Sequence, residues 1–390
     1  MKPKSCLAPA ILLLLVLCAC TPEPLQFADW TIPVSEGTPV IEYAAVPMEE
    51  RTERIELLEE LVIGREGDSD YAFYHPFGLA VDGEGRVYVL DSGNRRVQVF
   101  DQGGEFVRTL GQRGQGPGEL EMPNHIAIAG DRVVVVDFGN RKLVFWDLNG
   151  VHVRDVLFPF GGSPIAILGF SDGSLMLSYS ERKAGAEDIS YIGVIARFSA
   201  DGEEVHRYAT GPGYWVDAMT YSGVNITLTH RSAEVAFAIG PSDKLYFSTS
   251  EEYQVLSASP AGPLSWALRV AWPAAPYPQS WIQEEISDLQ EDFPEAKATD
   301  FNWPERLPVL AHLRTDGHGH LYVFPYVSDD QIEEQKGRPV DVYSSAGALL
   351  FSGKIRREWD LALEDKVYIL EENADTEEVH VVRYRLVEPF

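Results

Sequence analysis

An all-β repeat fold is predicted for this chain of 390 residues on three observations. One unit is written twice in succession, its apolar runs are too short for helices, and turn residues punctuate them at regular spacing. The first copy runs from Gly78 to Asp101 and the second from His125 to Asp147. Each carries an apolar run, then Asp-x-Gly-Asn-Arg (Asp91 to Arg95, Asp137 to Arg141), then a second apolar run. Self-similarity at a period of about 40–50 residues, built of short strands and tight turns, marks a repeat architecture. Stacking such units face to face in a ring gives a β-propeller.

Within the first unit four strands can be read. Strand A is Leu79–Val81, and Asp82–Gly85 is a turn. Strand B is Arg86–Leu90, whose consecutive apolar residues fit a strand buried on both faces. Asp91–Asn94 supplies turn chemistry, because Gly and Asn tolerate positive φ and Asp bonds its own backbone. Strand C is Arg96–Phe100, and Gln102–Gly104 turns into strand D, Phe106–Leu110. The template recurs six times. The second unit runs from His125 to about Leu157, and the third begins at Ile167. The fourth spans about Val235 to Val270. The fifth starts near His312, where Asp316–Val323 closely copies Asp82–Val89. The sixth has Leu361–Leu363, Lys366–Leu370 and Val379–Tyr384 but no fourth strand. Glu60–Gly64 reads like the strand ending Val107–Gly111, so an N-terminal strand is expected to complete the last blade and close the ring. Closure removes exposed sheet edges.

Over Pro76–Phe158 the pattern resembles the NHL-repeat family, through Asp91–Val97 and Asp137–Leu143. That resemblance implies a six-bladed propeller of four-stranded blades and says little about function.

The N-terminus gives an address. Lys2 and Lys4 precede the apolar run Ile11–Leu17, too short to span a membrane. Leu17-Cys18-Ala19-Cys20 then resembles a bacterial lipobox, with Cys20 the acylated residue. The expected division is a signal peptide over 1–19, a lipidated N-terminus and tether over 20–54, and the propeller over 55–390. Thr21 resembles outer-membrane sorting, which places the chain in the cell envelope, facing the periplasm or the surface. From Thr21 to about Arg54, a tether and an added outer strand both remain open. All three cysteines (Cys6, Cys18, Cys20) fall in the first twenty residues, leaving the body no disulfide or thiolate chemistry. A formal charge of −28 excludes nucleic acid as a partner, since polyanion binding needs clustered positive charge. A monomer is expected.

Strands alternate in direction, so the D-to-A linkers and B–C turns share one rim. Every long insertion falls there: Gln112–Pro123, Glu181–Ser190, Gly211–Glu234, Trp272–Leu307 and Ser328–Pro339. Function concentrates on loops carried by a rigid scaffold, so this rim is the expected working face. The blade 4–5 linker is aromatic, and Ser280 to Gln283 has capping-box spacing. Ile282, Ile286, Leu289 and Phe293 follow at helical spacing. This predicts one short helix, either packed on the propeller or lying over the central channel.

Candidate ligand-binding residues on this rim are Arg95, Arg141, His125, Trp215, Trp281, His312 and Arg314. The two arginines of the repeated motif are suited to an anionic ligand or acidic peptide. His125, His312 and Asp360 are weak candidates for a divalent metal, and His318 and His320 read as surface residues of a turn on the plain rim. No catalytic group is assigned and no cofactor is predicted beyond that metal. The function expected is a lipid-anchored module binding a partner protein or small ligand. The alternative is a metal-dependent lactonase- or lyase-like propeller enzyme, which needs several ligating groups converging on the channel.

Overall fold

The computed structural model describes residue 32 and residues 37–390, apart from 66, 159–163, 183–190, 213–215, 222–223, 230–235, 250–251, 261, 274, 302, 304 and 373–377. Six four-stranded antiparallel blades follow one another along the chain, each ordered from strand A to strand D; Arg54 and Ile55 also pair in parallel with Lys354 and Ile355, which joins the last two blades into one eight-stranded sheet. Blade 1 is Pro76–Val81, Val87–Asp91, Arg96–Phe100 and Phe106–Leu110. Blade 2 is Pro123–Ala129, Arg132–Asp137, Lys142–Asp147 and His152–Leu157. Blade 3 is Pro164–Gly169, Leu175–Arg182, Tyr191–Phe198 and Glu204–Pro212. Blade 4 is Ala236–Gly240, Lys244–Ser248, Gln254–Ala258 and Leu264–Ala271. Blade 5 is Leu310–Thr315, Leu321–Pro325, Arg338–Tyr343 and Leu349–Ile355. Blade 6 is Leu361–Leu363, Lys366–Glu372 and Val379–Val387, with Arg54–Ile63 as its outer strand. In that last pairing Val62 lies opposite Val382 and Ile63 opposite Val381.

The core is divided among the blade interfaces. Val133 and Val135 of blade 2 face blade 1, whereas Val134 and Val136 face blade 3. Tyr88 and Leu90 of blade 1 face blade 2, whereas Val87 and Val89 join Tyr368 and Val381 of blade 6. This is why the B strands carry consecutive apolar residues: alternate side chains enter different interfaces. Fully burying one such valine or leucine contributes roughly 1.5–3 kcal/mol. Inner strands approach closely. A Cβ on Gly169 of blade 3 would lie 1.9 Å from the Ile128 carbonyl oxygen of blade 2.

Of the two readings left open for Thr21 to Arg54, the added outer strand is found from Val40 onward. Val40–Ala44 adds a parallel strand to the outside of blade 4, with Val40 opposite Ala267. Arg51, on the way to blade 6, is buried among carbonyl oxygens of Val46, Val340 and Gly353 and pairs with Asp341.

The blade 4–5 linker holds the predicted helix, α1, over Gln279–Asp292, but the predicted cap is not used. The helix begins before Ser280, Pro278 is the N-cap residue and no side chain caps it. Proline has no side-chain acceptor, and its carbonyl instead accepts from Trp281 N (3.2 Å) and Ile282 N (3.5 Å). The apolar side of α1 is covered by its own linker: Tyr277, Ile282, Ile286, Ala296 and Phe301 form a satellite core. A second helix not predicted from sequence, α2, spans Asp329–Gln335 in the blade 5 B–C segment and carries a capping box from Ser328 to Gln331. The blade 3–4 linker contains an unpredicted strand pair, Val216–Tyr221 with Val224–Thr229.

Candidate functional site

The repeated Asp-x-Gly-Asn-Arg motif works as a staple of the fold. The fully buried Asp91 carboxylate accepts hydrogen bonds from Tyr74 N (2.7 Å), Asn94 Nδ2 (2.8 Å) and Arg96 Nε (2.8 Å). Asp137 likewise accepts from Met122 N (2.9 Å), Glu121 N (3.2 Å) and Asn140 Nδ2 (2.6 Å). Each aspartate thus ties its B–C turn to the preceding D–A linker. The arginines that follow, Arg95 and Arg141, take φ of 57° and 52° to complete the turn, a left-handed backbone uncommon outside glycine.

This placement changes the role expected of those two arginines. Arg95 donates from Nε to Glu121 O (2.9 Å) and from Nη1 to Gly93 O (3.2 Å). It edges a groove of about 400 Å³ walled by Tyr74, Met122 and Phe138. Arg141 lies over the Phe158 ring, 5.8 Å from its centroid. The two guanidinium groups serve different linkers and form no shared anion pocket.

His125 and His312 are also apart. His125 begins blade 2 beside the Phe77 ring (6.0 Å), and burial lowers its pKa to about 4. His312 belongs to blade 5, where its nearest acidic partner is Glu358. Asp360 accepts a 2.7 Å hydrogen bond from Leu370 N within blade 6. Among the described residues these three do not make a ligand set; the group of three ligating side chains that does converge is Asp316, His320 and Glu388. Cys20 and Trp215 lie outside the described residues.

What the decorated rim does bring together is a cleft of about 250 Å³ between blades 5 and 6. Trp281, at the start of α1, lines it with His312, Tyr326, Ser328, Arg338 and Glu358. Glu358 bridges the polar groups: its Oε1 is 3.0 Å from Arg338 Nη1 and its Oε2 is 3.4 Å from His312 Nε2. Beneath them Arg314 donates from Nε to the Trp359 carbonyl (2.6 Å) and from Nη1 to the Leu313 carbonyl (2.9 Å). About half of the His312 side chain (48%) meets solvent. Surrounding protein, with Arg314 and Arg338 close by, nonetheless lowers its pKa to about 3. Burial pushes Glu358 and Asp360 upward, opposed by Arg314 in both cases and by Arg338 at Glu358. Two arginines and two carboxylates balance formally, so the cleft presents hydrogen-bonding groups without a strong net field. Of the residues singled out from sequence, Trp281 and His312 line this cleft; Arg338 and Glu358, which line it too, were missed. The one signal was that Arg338 lies within the Ser328–Pro339 insertion; nothing in the sequence marks Glu358, in the short blade 5–6 linker.

A larger opening of about 530 Å³ lies on the plain rim, between the A–B turns of blades 1, 2 and 3. Its lining is turn backbone with Asp82, Glu84, Asp131 and Asp172. All four already have arginine partners: Asp82 and Glu84 with Arg86, Asp131 with Arg132 and Asp172 with Arg197. Volume alone therefore does not select it over the smaller cleft, where aromatic and ionisable side chains converge.

A family model described as DUF5128, 6-bladed beta-propeller, matches residues 79–190. A Bacteroides fragilis protein assigned as exported superposes with a TM-score of 0.53, covering 90% of this chain and 99% of that one at 11% identity. The chain is a six-bladed β-propeller. A duf4221-family protein from Bacteroides vulgatus gives a TM-score of 0.49 at 11% identity, over 85% of this chain and 98% of that one. A gluconolactonase from Xanthomonas campestris gives 0.43 at 16% identity, over 85% and 95%. At these identities the likeness reaches the propeller fold and not the chemistry on its rim. No curated protein sequence matches the propeller significantly.

Proposed function

We propose that this propeller is a binding module of the bacterial cell envelope, lipid-anchored through Cys20, that takes a small, hydroxyl-rich polar ligand in the cleft between blades 5 and 6. One observation carries the reading: an aromatic wall, Trp281, lines the same cleft as a cluster of partly exposed, mutually paired polar groups, His312, Arg338 and Glu358. Such a pairing of one apolar wall with a few convergent polar groups is the usual make-up of a small-ligand site. The volume suits a small molecule, and the balanced charge favours hydroxyl groups over a phosphate. Export of a structural relative agrees with an envelope address.

The enzyme alternative is weaker on two counts. His125, His312 and Asp360 do not fit a shared metal, so no step is derived through one. A histidine with its pKa near 3 is also a feeble general base at neutral pH, where an efficient one titrates close to ambient pH.

The test is a thermal-shift panel of monosaccharides, polyols, sugar lactones and sugar acids, with product analysis of each mixture. Ligands that bind only the folded state raise the Tm. At least one member is expected to do so, and Trp281→Ala and Glu358→Gln should each abolish the rise. A panel without effect, or shifts indifferent to both variants, refutes the cleft; turnover of a lactone restores the enzyme reading. Loss of labelled fatty-acid incorporation in Cys20→Ala tests the anchor.

A further inference from the structure

Two A–B turns on the plain rim share one design, and they differ at the group that balances a buried carboxylate. In blade 1 the Asp82 carboxylate accepts from Glu84 N (2.9 Å), Arg86 N (3.0 Å) and Tyr88 Oη (2.9 Å), and Arg86 Nε lies 2.7 Å away. In blade 5 Asp316 accepts from His318 N (2.9 Å), His320 N (2.8 Å) and Tyr322 Oη (3.2 Å), and His320 Nδ1 stands 2.8 Å from Oδ2. A histidine therefore replaces the permanent cation. A second carboxylate also arrives, from beyond the last strand of blade 6. Glu388 places Oε1 3.6 Å from His320 Nδ1 and in contact with the Tyr322 hydroxyl. Where blade 1 sets a guanidinium between the buried Asp82 and the exposed Glu84 (3.5 Å), blade 5 has two part-buried or buried carboxylates and an imidazole.

We propose that Asp316, His320 and Glu388 form a divalent-cation site of the zinc type, unrelated to the cleft on the opposite rim. The three ligand atoms lie within 4.8 Å of one another. Tetrahedral zinc with ligands at about 2.0–2.1 Å sets neighbouring ligand atoms about 3.3 Å apart, and the observed separations of 2.8 and 3.6 Å bracket that value. One nitrogen and two carboxylate oxygens suit zinc better than calcium, which prefers six or more oxygens. The outer support is also present. Two backbone amides hold the other Asp316 oxygen, and the Tyr322 hydroxyl serves the carboxylates, the kind of second layer that orients ligands. His320 exposes a quarter of its side chain (25%) and Glu388 about a fifth (19%), so the site opens to solvent.

The experiment is equilibrium dialysis and calorimetry of the full chain, stripped with chelator and titrated with Zn²⁺ alone, and separately with Ca²⁺. One Zn²⁺ per chain is expected, with no saturable Ca²⁺ binding. His320→Arg reinstates the blade 1 pairing, so it should fold normally and lose zinc; Glu388→Gln should weaken zinc at least tenfold. His318→Gln should change nothing. Absence of saturable zinc binding, its survival in His320→Arg, its indifference to Glu388→Gln, or its loss in His318→Gln would each overturn the assignment.

Discussion

His312 and Glu358 face each other across the blade 5–6 boundary, Nε2 to Oε2 at 3.4 Å, on a surface that is otherwise strongly acidic. The histidine pKa falls to about 3, and that of His125 to about 4, against about 6.5 for a free imidazole. Below pH 6.5 the unfolded chain therefore takes up protons that the folded chain refuses. The stability linked to these rings is fully present above pH 6.5 and is lost as pH falls toward 4. Glu358 and Asp360, shifted upward, act in the opposite sense, contributing most below their unfolded values and losing that contribution as pH rises. His312→Gln is thus expected to flatten the rise of the unfolding midpoint between pH 4.5 and 6.5. Proton NMR should show the His312 ring still neutral at pH 5. A ring that titrates near 6.5 contradicts the burial argument.

Arg51 and Asp341 make a buried ion pair, Nη1 to Oδ1 at 2.8 Å, with side-chain exposures of 0% and 3%. Asp341 also accepts from Tyr253 Oη and Ser352 Oγ, both at 2.6 Å. Arg51→Met leaves that carboxylate buried without its cation, which costs about 3–5 kcal/mol. Arg51→Met combined with Asp341→Asn should recover a large part of the loss. Denaturant unfolding of the two single variants and the double measures the coupling, and additive losses would show that the pair does not act as a unit.

Asp137 is the shared acceptor for Glu121 N, Met122 N and Asn140 Nδ2. Asp137→Ala strands three donors and is expected to destabilise by roughly 2–4 kcal/mol, at about 1–3 kcal/mol per orphaned buried group after partial solvation. Limited proteolysis should then cut within Gln112–Pro123, the linker that the aspartate holds. Unchanged stability and cleavage would mean that the motif does something other than fasten turn to linker.

The repeat was legible because propeller blades pack on both faces. Runs such as Val133–Val136 have no polar side, and no helix or half-exposed strand needs such a pattern. The N-terminal strand was legible for a related reason: the sixth unit lacked a partner that Glu60–Gly64 could supply. Long-range polar placement was not legible. Arg51 sits in an acidic stretch with no periodicity and finds Asp341 only through the packing of blade 5. Glu388 is remote in sequence from Asp316, so His318 and His320 looked like an ordinary surface turn. Arg338 and Glu358 carry no motif. Conversely, Arg95 and Arg141 stood out by repetition, and repetition here reflects a turn-to-linker staple shared by blades 1 and 2.

The central claim is that ligand binding belongs to the cleft between blades 5 and 6. Hydrogen exchange of the full chain, with and without the strongest stabilising compound of the sugar, lactone and polyol panel, addresses it directly. Slowed exchange is expected at the start of α1 around Trp281, in blade 5 from His312 to Ser328, and around Arg338 and Glu358. Protection centred on the Tyr74–Met122–Phe138 groove, or on the plain-rim opening around Asp82 and Asp172, would contradict the account.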